Sequence, residues 1–553
     1  MSDREIERKF LLVAVPAEAS GRSLIIQGYL GGDAEGNHAR LRDEDGQYTK
    51  TVKRGHGSCR LQHEVPISGD RFHNLWPLTE GWRLRKERRR IPYAGLVIEV
   101  DRYLDDLSGL ITAEVEFTDT AACDRFTPPG WFGTEVTDRT EYENCQLALH
   151  GLPLSFSSDM AAMKAEWETD TRISASASEV LRRANAKRSG RFVVLVGGGS
   201  GSGKTFYAKR SVKALGGLAM LYDADDYFKG VEFMRAEAAK GNPLNWDEPE
   251  AVDYEMLAGH LKELNAGKAV RKPKYEFETG KRIGWELKLP HEVTYVPGLN
   301  VLDEPVANFG DFKIFIAAGT HGRVIRRLLR DVVERGQRPN DVLRYFAEVV
   351  EPMHQLHVEK TKANADEVID GDYRPEAEAA RSGAYERQIK FRFPATDAID
   401  AAPFFDGMEQ IGPTREQQDY YYNPPGHDLS STGELLRVRQ EAGERILAYK
   451  GPKAIGSATI DRAKFECGID GATEKALQIL YSGKMKVVTK IRTLYRFKTL
   501  ILSHDQLLTG RGLQSYLEFR PAGLEDTRIL AWLLGVFGLD RADGITKSYF
   551  EIV

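Results

Sequence analysis

Arg191-Phe-Val-Val-Leu-Val-Gly-Gly-Gly-Ser-Gly-Ser-Gly-Lys-Thr205 lies near the middle of a 553-residue chain and decides how that chain is read. Phe192 to Val196 is a short, β-branched apolar run without polar alternation, which predicts a strand buried on both faces of a parallel sheet. Gly198, Gly203, Lys204 and Thr205 then fit the spacing G-x-x-x-x-G-K-[ST] of a phosphate-binding loop, and an amphipathic run from Phe206 to Leu215 follows. The chemistry asks for these residue types. Glycines, here Gly198, Gly201 and Gly203, let successive backbone N–H groups curl around an anion, and the following helix N-terminus adds positive potential. Lys204 supplies a mobile charge, and Thr205 a hydroxyl for Mg²⁺. The competing reading is a plain glycine-rich strand–helix turn.

Outward from the loop, composition is that of an ordinary soluble protein: 29% charged, 41% hydrophobic, net charge -5. There is no basic excess, so nucleic acid is not an expected partner. No apolar run reaches the ~18 residues of a membrane span, so no membrane partner is expected either. The charged opening Met1–Phe10 does not read as a signal peptide. Cys59, Cys123, Cys145 and Cys467 lack C-x-x-C spacing and read as reduced packing thiols of a cytoplasmic protein. The length predicts about three to four domains.

Before the loop, charges recur at every second residue: Glu5-Ile-Glu7-Arg-Lys9, Arg40-Leu-Arg42, Thr51-Val-Lys53, Arg60-Leu-Gln62-His-Glu64, Lys86-Glu-Arg88, Glu99-Val-Asp101 and Glu114-Val-Glu116. In a strand, residues i, i+2 and i+4 share a face, so these stretches predict strands with one charged and one largely apolar face. Such a sheet either turns its charges to solvent or closes into a barrel with a polar lumen, and the mixed signs favour the lumen. Basic pairs there bind phosphates, and carboxylate pairs hold hard divalent cations through oxygen.

These residues, with Pro129-Gly-Trp-Phe-Gly-Thr-Glu-Val-Thr137, Tyr142 and Asn144, resemble a CYTH domain of the triphosphate tunnel metalloenzyme family, over residues 3–153. The resemblance implies an antiparallel eight-stranded tunnel barrel in which basic residues grip a triphosphate and glutamates hold Mg²⁺ or Mn²⁺. By position, Lys9, Arg40, Arg42, Lys53, Arg60, Lys86 and Arg88 are expected to face the phosphates. Glu5, Glu7, Glu64, Asp101, Glu114 and Glu116 are expected to ligate metal or orient water, and Lys9 to help position the nucleophile. Gln62 departs from the family's usual glutamate, which is expected to lower metal affinity somewhat.

Ser157–Ser189 is polar with apolar residues at loose helical spacing (Met160, Met163, Trp167, Val180, Leu181) and reads as helical connectors. After the loop, strand-like and helix-like runs alternate, including a strand-like Leu299–Glu304, which predicts a parallel-sheet α/β domain. Asp225 is placed to orient an acceptor hydroxyl and Asp303 to reach the metal. Arg326, Arg327 and Arg330 sit at helical spacing, as a lid over phosphate or a solvated helix face. Residues 190–370 resemble the uridine kinase/phosphoribulokinase family through the loop, Asp225 with Tyr227, Asn245–Asp253, Tyr275–Phe277, Arg282 and Arg326–Asp331. The resemblance implies ATP or GTP at the loop, with Arg327 on its phosphates. It fails where a pyrimidine would be read: Glu248 precedes Pro249 where histidine is expected, Gly280 lies near a second histidine's place, and Asp303-Glu304-Pro305 replaces Glu-Gly. Losing hydrogen-bond partners for the base puts uridine itself in doubt as acceptor.

Beyond residue 383 the opening theme returns in Tyr385-Glu-Arg-Gln-Ile-Lys390, Arg437-Val-Arg439, Tyr449-Lys450, Arg462-Ala-Lys464-Phe-Glu466, Lys490-Ile-Arg492 and Glu518-Phe-Arg520. With Tyr420–Asp428 ahead of the arginine pair, this resembles a second CYTH domain. Its acids are depleted: Gln388 stands for the second glutamate, Lys464 for an acid after Arg462, and Arg520 for the acid after Glu518. Lysine or arginine where a cation should sit repels that cation. Lys390, Arg437, Arg439, Lys450, Lys490 and Arg492 are then expected to bind a phosphate-rich ligand without metal catalysis, or the tunnel to be a structural relic.

The sequence thus predicts a multidomain α/β and α+β chain: a tunnel domain (1–155), a helical linker (156–188), a P-loop kinase-like domain (189–370) and a second tunnel domain (383–553). The expected function is metal-dependent hydrolysis of inorganic triphosphate, short polyphosphate or a nucleoside triphosphate in the first tunnel. The alternative is an ATP- or GTP-dependent small-molecule kinase whose tunnels bind phosphate compounds. Oligomeric state is left open.

Overall fold

The computed structural model describes residues 4–16, 19–32, 37–55, 59–187, 190–241, 244–371, 373–393, 408–425, 428–455, 460–481, 486–510, 512–521 and 524–552. Gly426 and His427 of the Tyr420–Asp428 stretch, and the side chain of Cys59, lie outside that description.

The period-two charge pattern does become strands. β1 (Arg4–Leu11), β2 (Ser20–Gly32), β3 (His38–Glu44), β4 (Gln47–Arg54), β5 (Cys59–Pro66), β6 (Arg83–Tyr93), β7 (Leu96–Tyr103) and β8 (Ile111–Phe117) close into a barrel in the order β1-β5-β4-β3-β2-β6-β7-β8. Every pairing is antiparallel, and the register sets the charges side by side: Glu7 opposite Glu116, Lys9 opposite Glu114, Thr51 opposite Glu64. Outward-facing apolar residues are covered in part by the chain after β8, as Ile98, Val100 and Val115 pack with Trp131 and Phe132.

A single 31-residue helix, Phe156–Ala186, replaces the expected series of connectors. Its first turns put Met160 and Met163 against Leu11 of the barrel and Val136 of the chain that follows it, and its later turns put Ile173 and Val180 against the next sheet. Trp167, expected on the apolar face, is exposed.

That next sheet comprises β9 (Phe192–Gly197), β10 (Ala219–Leu221), β13 (Val293–Pro297), β14 (Phe312–Ala317) and β15 (Glu367–Asp370), in the order β10-β13-β9-β14-β15 and parallel throughout. β9 is buried at all six residues, as its unalternated sequence requires. A separate hairpin joins β11 (Val270–Glu276) and β12 (Lys281–Lys288). Leu299–Glu304 is not a strand. β13 ends at Pro297, and Gly298 is packed so closely that a Cβ there would lie 2.5 Å from Val301, so the chain turns instead.

The remaining strands are β16 (Tyr385–Phe393), β17 (Met408–Gln410), β18 (Arg415–Tyr421), β19 (Leu435–Glu441), β20 (Glu444–Lys450), β21 (Ala454–Ile455), β22 (Ile460–Gly468), β23 (Lys486–Phe497), β24 (Leu500–Thr509) and β25 (Gly512–Arg520). β16 pairs with both β25 and β22, which closes a second antiparallel ring, β16-β25-β24-β23-β18-β19-β20-β22. The outer face of this ring shares one core with the middle domain: Leu436, Val438, Leu447 and Tyr449 pack against Val324, Ile325, Leu328 and Phe346.

Candidate functional site

Alternation along the first ring turns the paired charges inward around a cavity of about 360 Å³. Glu5, Glu7, Lys9, Arg40, Arg42, Lys53, Arg60, Gln62, Glu64, Arg88, Glu114 and Glu116 all line it. The carboxylate oxygens of Glu5, Glu7 and Glu116 lie within 4.8 Å of one another, the one such cluster of potential metal ligands among the described residues. Partial burial, then the charges of Glu5 and Glu99, lifts the Glu116 carboxyl above the ordinary glutamate range. Three crowded hard oxygen donors fit Mg²⁺ or Mn²⁺, whose charge relieves that repulsion.

The basic side of the cavity is held ready. Lys53 Nζ donates to Glu5 at 2.6 Å, and Arg60 pairs with Glu7. Lys9 Nζ lies 3.0 Å from Glu114 and donates to the Tyr142 carbonyl at 2.8 Å. Burial opposes its charge, yet Tyr103 and Glu114 hold the ammonium above the ordinary lysine range. Arg42 has the reverse balance: burial, then Arg40 and Arg88, brings its guanidinium down to about 10, and its Nε is buried without a hydrogen-bond partner. A buried cation in that state is stabilised by an incoming anion.

Lys86 and Asp101 are placed otherwise than the resemblance implied. They do not line the cavity; both side chains are sealed, Lys86 Nζ donating to Asp101 Oδ2 at 2.5 Å. Asp101 also accepts from Arg88 Nε at 2.7 Å, so this pair supports Arg88 from behind. Glu64 lies apart from the glutamate cluster, accepting from Thr51 Oγ1 at 2.7 Å and from Arg40 at 3.4 Å. Gln62 lines the cavity with its Oε1 buried and unpartnered. Glu99 and Thr137, which the charge pattern and the Pro129–Thr137 run include without a role, also line it, as does Glu143, which the sequence reading did not single out.

In the middle domain the loop follows β9, and Gly198, Gly201 and Gly203 have φ of 144°, 81° and 100°. A Cβ on Gly198 would lie 2.6 Å from the Ile316 carbonyl oxygen, and one on Gly201 2.8 Å from that of Arg323. Lys204 and Thr205 open the helix Lys204–Leu215. Burial brings the Lys204 ammonium below the ordinary lysine range, against the opposing charges of Asp225, Asp223 and Asp247. Burial, then Asp223, raises the Asp225 carboxyl to about 6. Asp303, expected at the metal, accepts from the Glu304 backbone N–H at 3.0 Å. Arg327 Nη1 donates to Ser200 Oγ at 3.0 Å and Arg326 Nη1 to the Ser202 carbonyl at 3.2 Å, whereas Arg330 donates to Asp331 at 2.8 Å. So two of the three arginines meet the loop. Arg323, four residues before Arg327 and on the same helix face, was missed and is legible by that spacing; Asp247 lies within the Asn245–Asp253 stretch but was given no role.

The second ring keeps the basic residues but has already used them. Lys450 donates to Glu386 at 2.6 Å, with Arg462 on the same acid at 3.2 Å. Arg437, Arg439 and Lys490 converge on Asp419 at 3.0, 2.7 and 3.4 Å. Arg492 donates to Asp505 at 2.6 Å. Lys390 donates to the Lys547 carbonyl at 2.9 Å and lies 3.9 Å from the centre of the Tyr549 ring. Asp419 was missed: it pairs in register with Arg439, as Gln27 pairs with Arg42 in the first ring, but its contact with Lys490 crosses to β23.

Residues 193–372 match the model of the phosphoribulokinase/uridine kinase family, and residues 384–549 match the CYTH domain model. A uridine kinase of Brevibacillus brevis is 36% identical over 186 residues, covering 32% of this chain and 86% of that protein. The inorganic pyrophosphatase TTM2 of Arabidopsis thaliana is 27% identical over 266 residues, covering 48% of this chain but only 37% of that protein. A crystal structure of the inorganic triphosphatase NE1496 is 37% identical, covers 27% of this chain and 97% of its own, and has a TM-score of 0.23. Through its middle domain the chain belongs to the phosphoribulokinase/uridine kinase family, joined to a CYTH domain on its C-terminal side.

Proposed function

We propose that the chain is a metal-dependent phosphohydrolase that cleaves inorganic triphosphate or a short polyphosphate in the first barrel. The observation that carries this reading is the cluster of Glu5, Glu7 and Glu116 facing a ring of buried cations across one cavity. Glu5, Glu7 and Glu116 would hold Mg²⁺ or Mn²⁺, which supplies charge neutralisation and lowers the pKa of a water. Arg40, Arg42, Lys53, Arg60 and Arg88 bind and orient the polyanion and stabilise the charge that develops as the anhydride bond breaks. Lys9, fixed by Glu114 and the Tyr142 carbonyl, positions the terminal phosphoryl group. Lys86 and Asp101 hold Arg88 in place. Among the described residues no helix is long and apolar enough to cross a membrane.

In the middle domain, Gly198, Gly201, Gly203, Lys204, Thr205 and Arg327 bind the phosphates of ATP or GTP, with Thr205 on the cation side and Asp225, Asp223 and Asp247 acting on the Lys204 charge. The second barrel is a scaffold, most of its basic residues already paired with its own acids. Phosphate release from tripolyphosphate, pyrophosphate and nucleoside triphosphates with Mg²⁺ or Mn²⁺ tests the reading; tripolyphosphate is expected to be cleaved fastest, and no release from any of them would end it.

The raised carboxyl of Asp225 favours a second reading, a kinase that transfers the γ-phosphoryl group of ATP or GTP to a small hydroxyl acceptor. Label transfer from γ-labelled ATP to an acceptor would support it, and label appearing only as free phosphate would count against it.

A further inference from the structure

The helix Thr320–Leu328 leads two lives. One face meets the phosphate loop. The Arg323 backbone abuts Gly201, Arg326 reaches the Ser202 carbonyl, and Arg327 reaches Ser200. Arg323 is only 1% exposed, and its Nε and Nη1 are buried without hydrogen-bond partners. The opposite face, Val324, Ile325 and Leu328, is packed into the core shared with the second barrel. At the start of the same helix, His321 is buried between two domains: Nδ1 lies 2.9 Å from Tyr481 Oη, and Nε2 lies 3.1 Å from Glu434 Oε1.

Glu434 belongs to the second barrel, one residue before β19, and its side chain is fully buried. Besides His321, it accepts from Tyr373 Oη at 2.7 Å, Tyr449 Oη at 2.8 Å and Thr432 Oγ1 at 2.6 Å. A buried carboxylate costs stability unless its lone pairs are satisfied, so these donors are tied to its position. Tyr373 in turn presses on the arginine helix, since a Cβ at Gly322 would lie 2.9 Å from its ring. It also follows Gly371, where a Cβ would lie 2.7 Å from the Ser202 carbonyl oxygen. One acid therefore gathers two elements of the middle domain that both press on the phosphate loop.

We propose that Glu434 is a positioning residue for the nucleotide-phosphate site: through His321 and Tyr373 it holds the arginine-bearing helix closed over the loop. The proposal rests on the loop's assignment as an ATP or GTP site. Its consequence is that the second barrel acts on the neighbouring domain's affinity for nucleotide without touching the nucleotide.

Calorimetric titration of the full chain with Mg·ATP tests this. Glu434→Ala is expected to weaken binding about tenfold, and Glu434→Gln, which keeps the acceptor oxygen, to restore it to within about threefold. In an Arg327→Ala background, Glu434→Ala is expected to add less than about threefold, because both act through one helix. Tripolyphosphate hydrolysis by the first barrel stays unchanged in Glu434→Ala. Full additivity with Arg327→Ala, or unchanged affinity in Glu434→Ala, overturns the proposal. Should Glu434→Ala fail to fold, His321→Ala cuts the link from the helix side, leaves Glu434 with its tyrosines, and carries the same expectations. If wild-type protein does not bind Mg·ATP, or Lys204→Ala binds it as tightly, the loop's assignment falls and the proposal falls with it.

Discussion

The two barrels are the same ring written twice with different charges inside. In the first, Glu5, Glu7 and Glu116 cluster in an open cavity of about 360 Å³. The corresponding residues of the second, Glu386, Gln388 and Arg520, keep one acid of three, and Arg520 donates to Glu518 at 2.8 Å. On β2, Gln27 donates to the Tyr29 hydroxyl at 2.7 Å and leaves the Arg40–Arg42 pair its charge. On β18, Asp419 takes that place and pairs with Arg437, Arg439 and Lys490 together. Buried charge has to be compensated by something. In the first ring an anionic substrate and a cation are suited to do it; in the second, the chain's own acids and its last residues do it. The fold is indifferent to the choice, since outward-facing residues and register build the ring in both cases. A few inward positions set the chemistry.

The sharpest way to break the contrast is to write the second ring's charges into the first. Glu7→Gln with Glu116→Arg is expected to lower kcat/KM for tripolyphosphate by at least about 1000-fold, because cation binding and charge neutralisation are lost together. Phosphate release at saturating Mg²⁺ or Mn²⁺ measures it. A milder graft is Gln27→Asp. It places an acid beside Arg40 and Arg42 and is expected to raise KM about 10- to 100-fold while kcat changes less, since the arginine pair binds the anion before and during reaction.

Approached from the other side, Asp419→Asn leaves three cations of the second ring without their shared acid, and the expected cost is about 3–5 kcal/mol. Differential scanning calorimetry should show the transition of the C-terminal half falling by roughly 6 °C or more at neutral pH. Tripolyphosphate hydrolysis in the first ring should survive below that transition. Burial raises the Asp419 carboxyl, but Arg437, Lys490 and Arg439 overcome it and hold the group well below its ordinary value. Its contribution is therefore present above the ordinary aspartate pKa and lost as pH falls towards the depressed one, so the variant and wild type should converge only in strong acid.

The smallest effect is in the pH profile. Because Glu116 is held above the ordinary glutamate range, it is protonated at a higher pH than a free glutamate, and hydrolysis should fall on that acid limb. Protons and the cation compete for the same oxygens, so raising Mg²⁺ should move the limb to lower pH. A limb that ignores metal concentration would separate Glu116 from the cation.

The strands and the inward charges were legible because a period of two puts residues i and i+2 on one face, and Glu5-Ile-Glu7-Arg-Lys9 states that openly. The phosphate loop was legible for a similar reason, as its chemistry is confined to contiguous residues. What escaped depends on partners far apart in the chain. Lys86 looks like a phosphate ligand until Asp101 is seen behind it. Asp419 is one acid among many until β18 pairs with β23 and brings Lys490 to it. Glu434 has no motif at all; its meaning comes from two domains meeting on it.

The central claim, that hydrolysis resides in the first ring and not at the phosphate loop, is tested most directly by one paired assay. Tripolyphosphate hydrolysis with Mg²⁺ or Mn²⁺ is measured in Glu7→Gln/Lys9→Ala and, side by side, in Lys204→Ala. The account predicts that the first variant is inactive and the second retains wild-type rates. Activity that survives in Glu7→Gln/Lys9→Ala and disappears in Lys204→Ala would contradict it and make the middle domain the hydrolase.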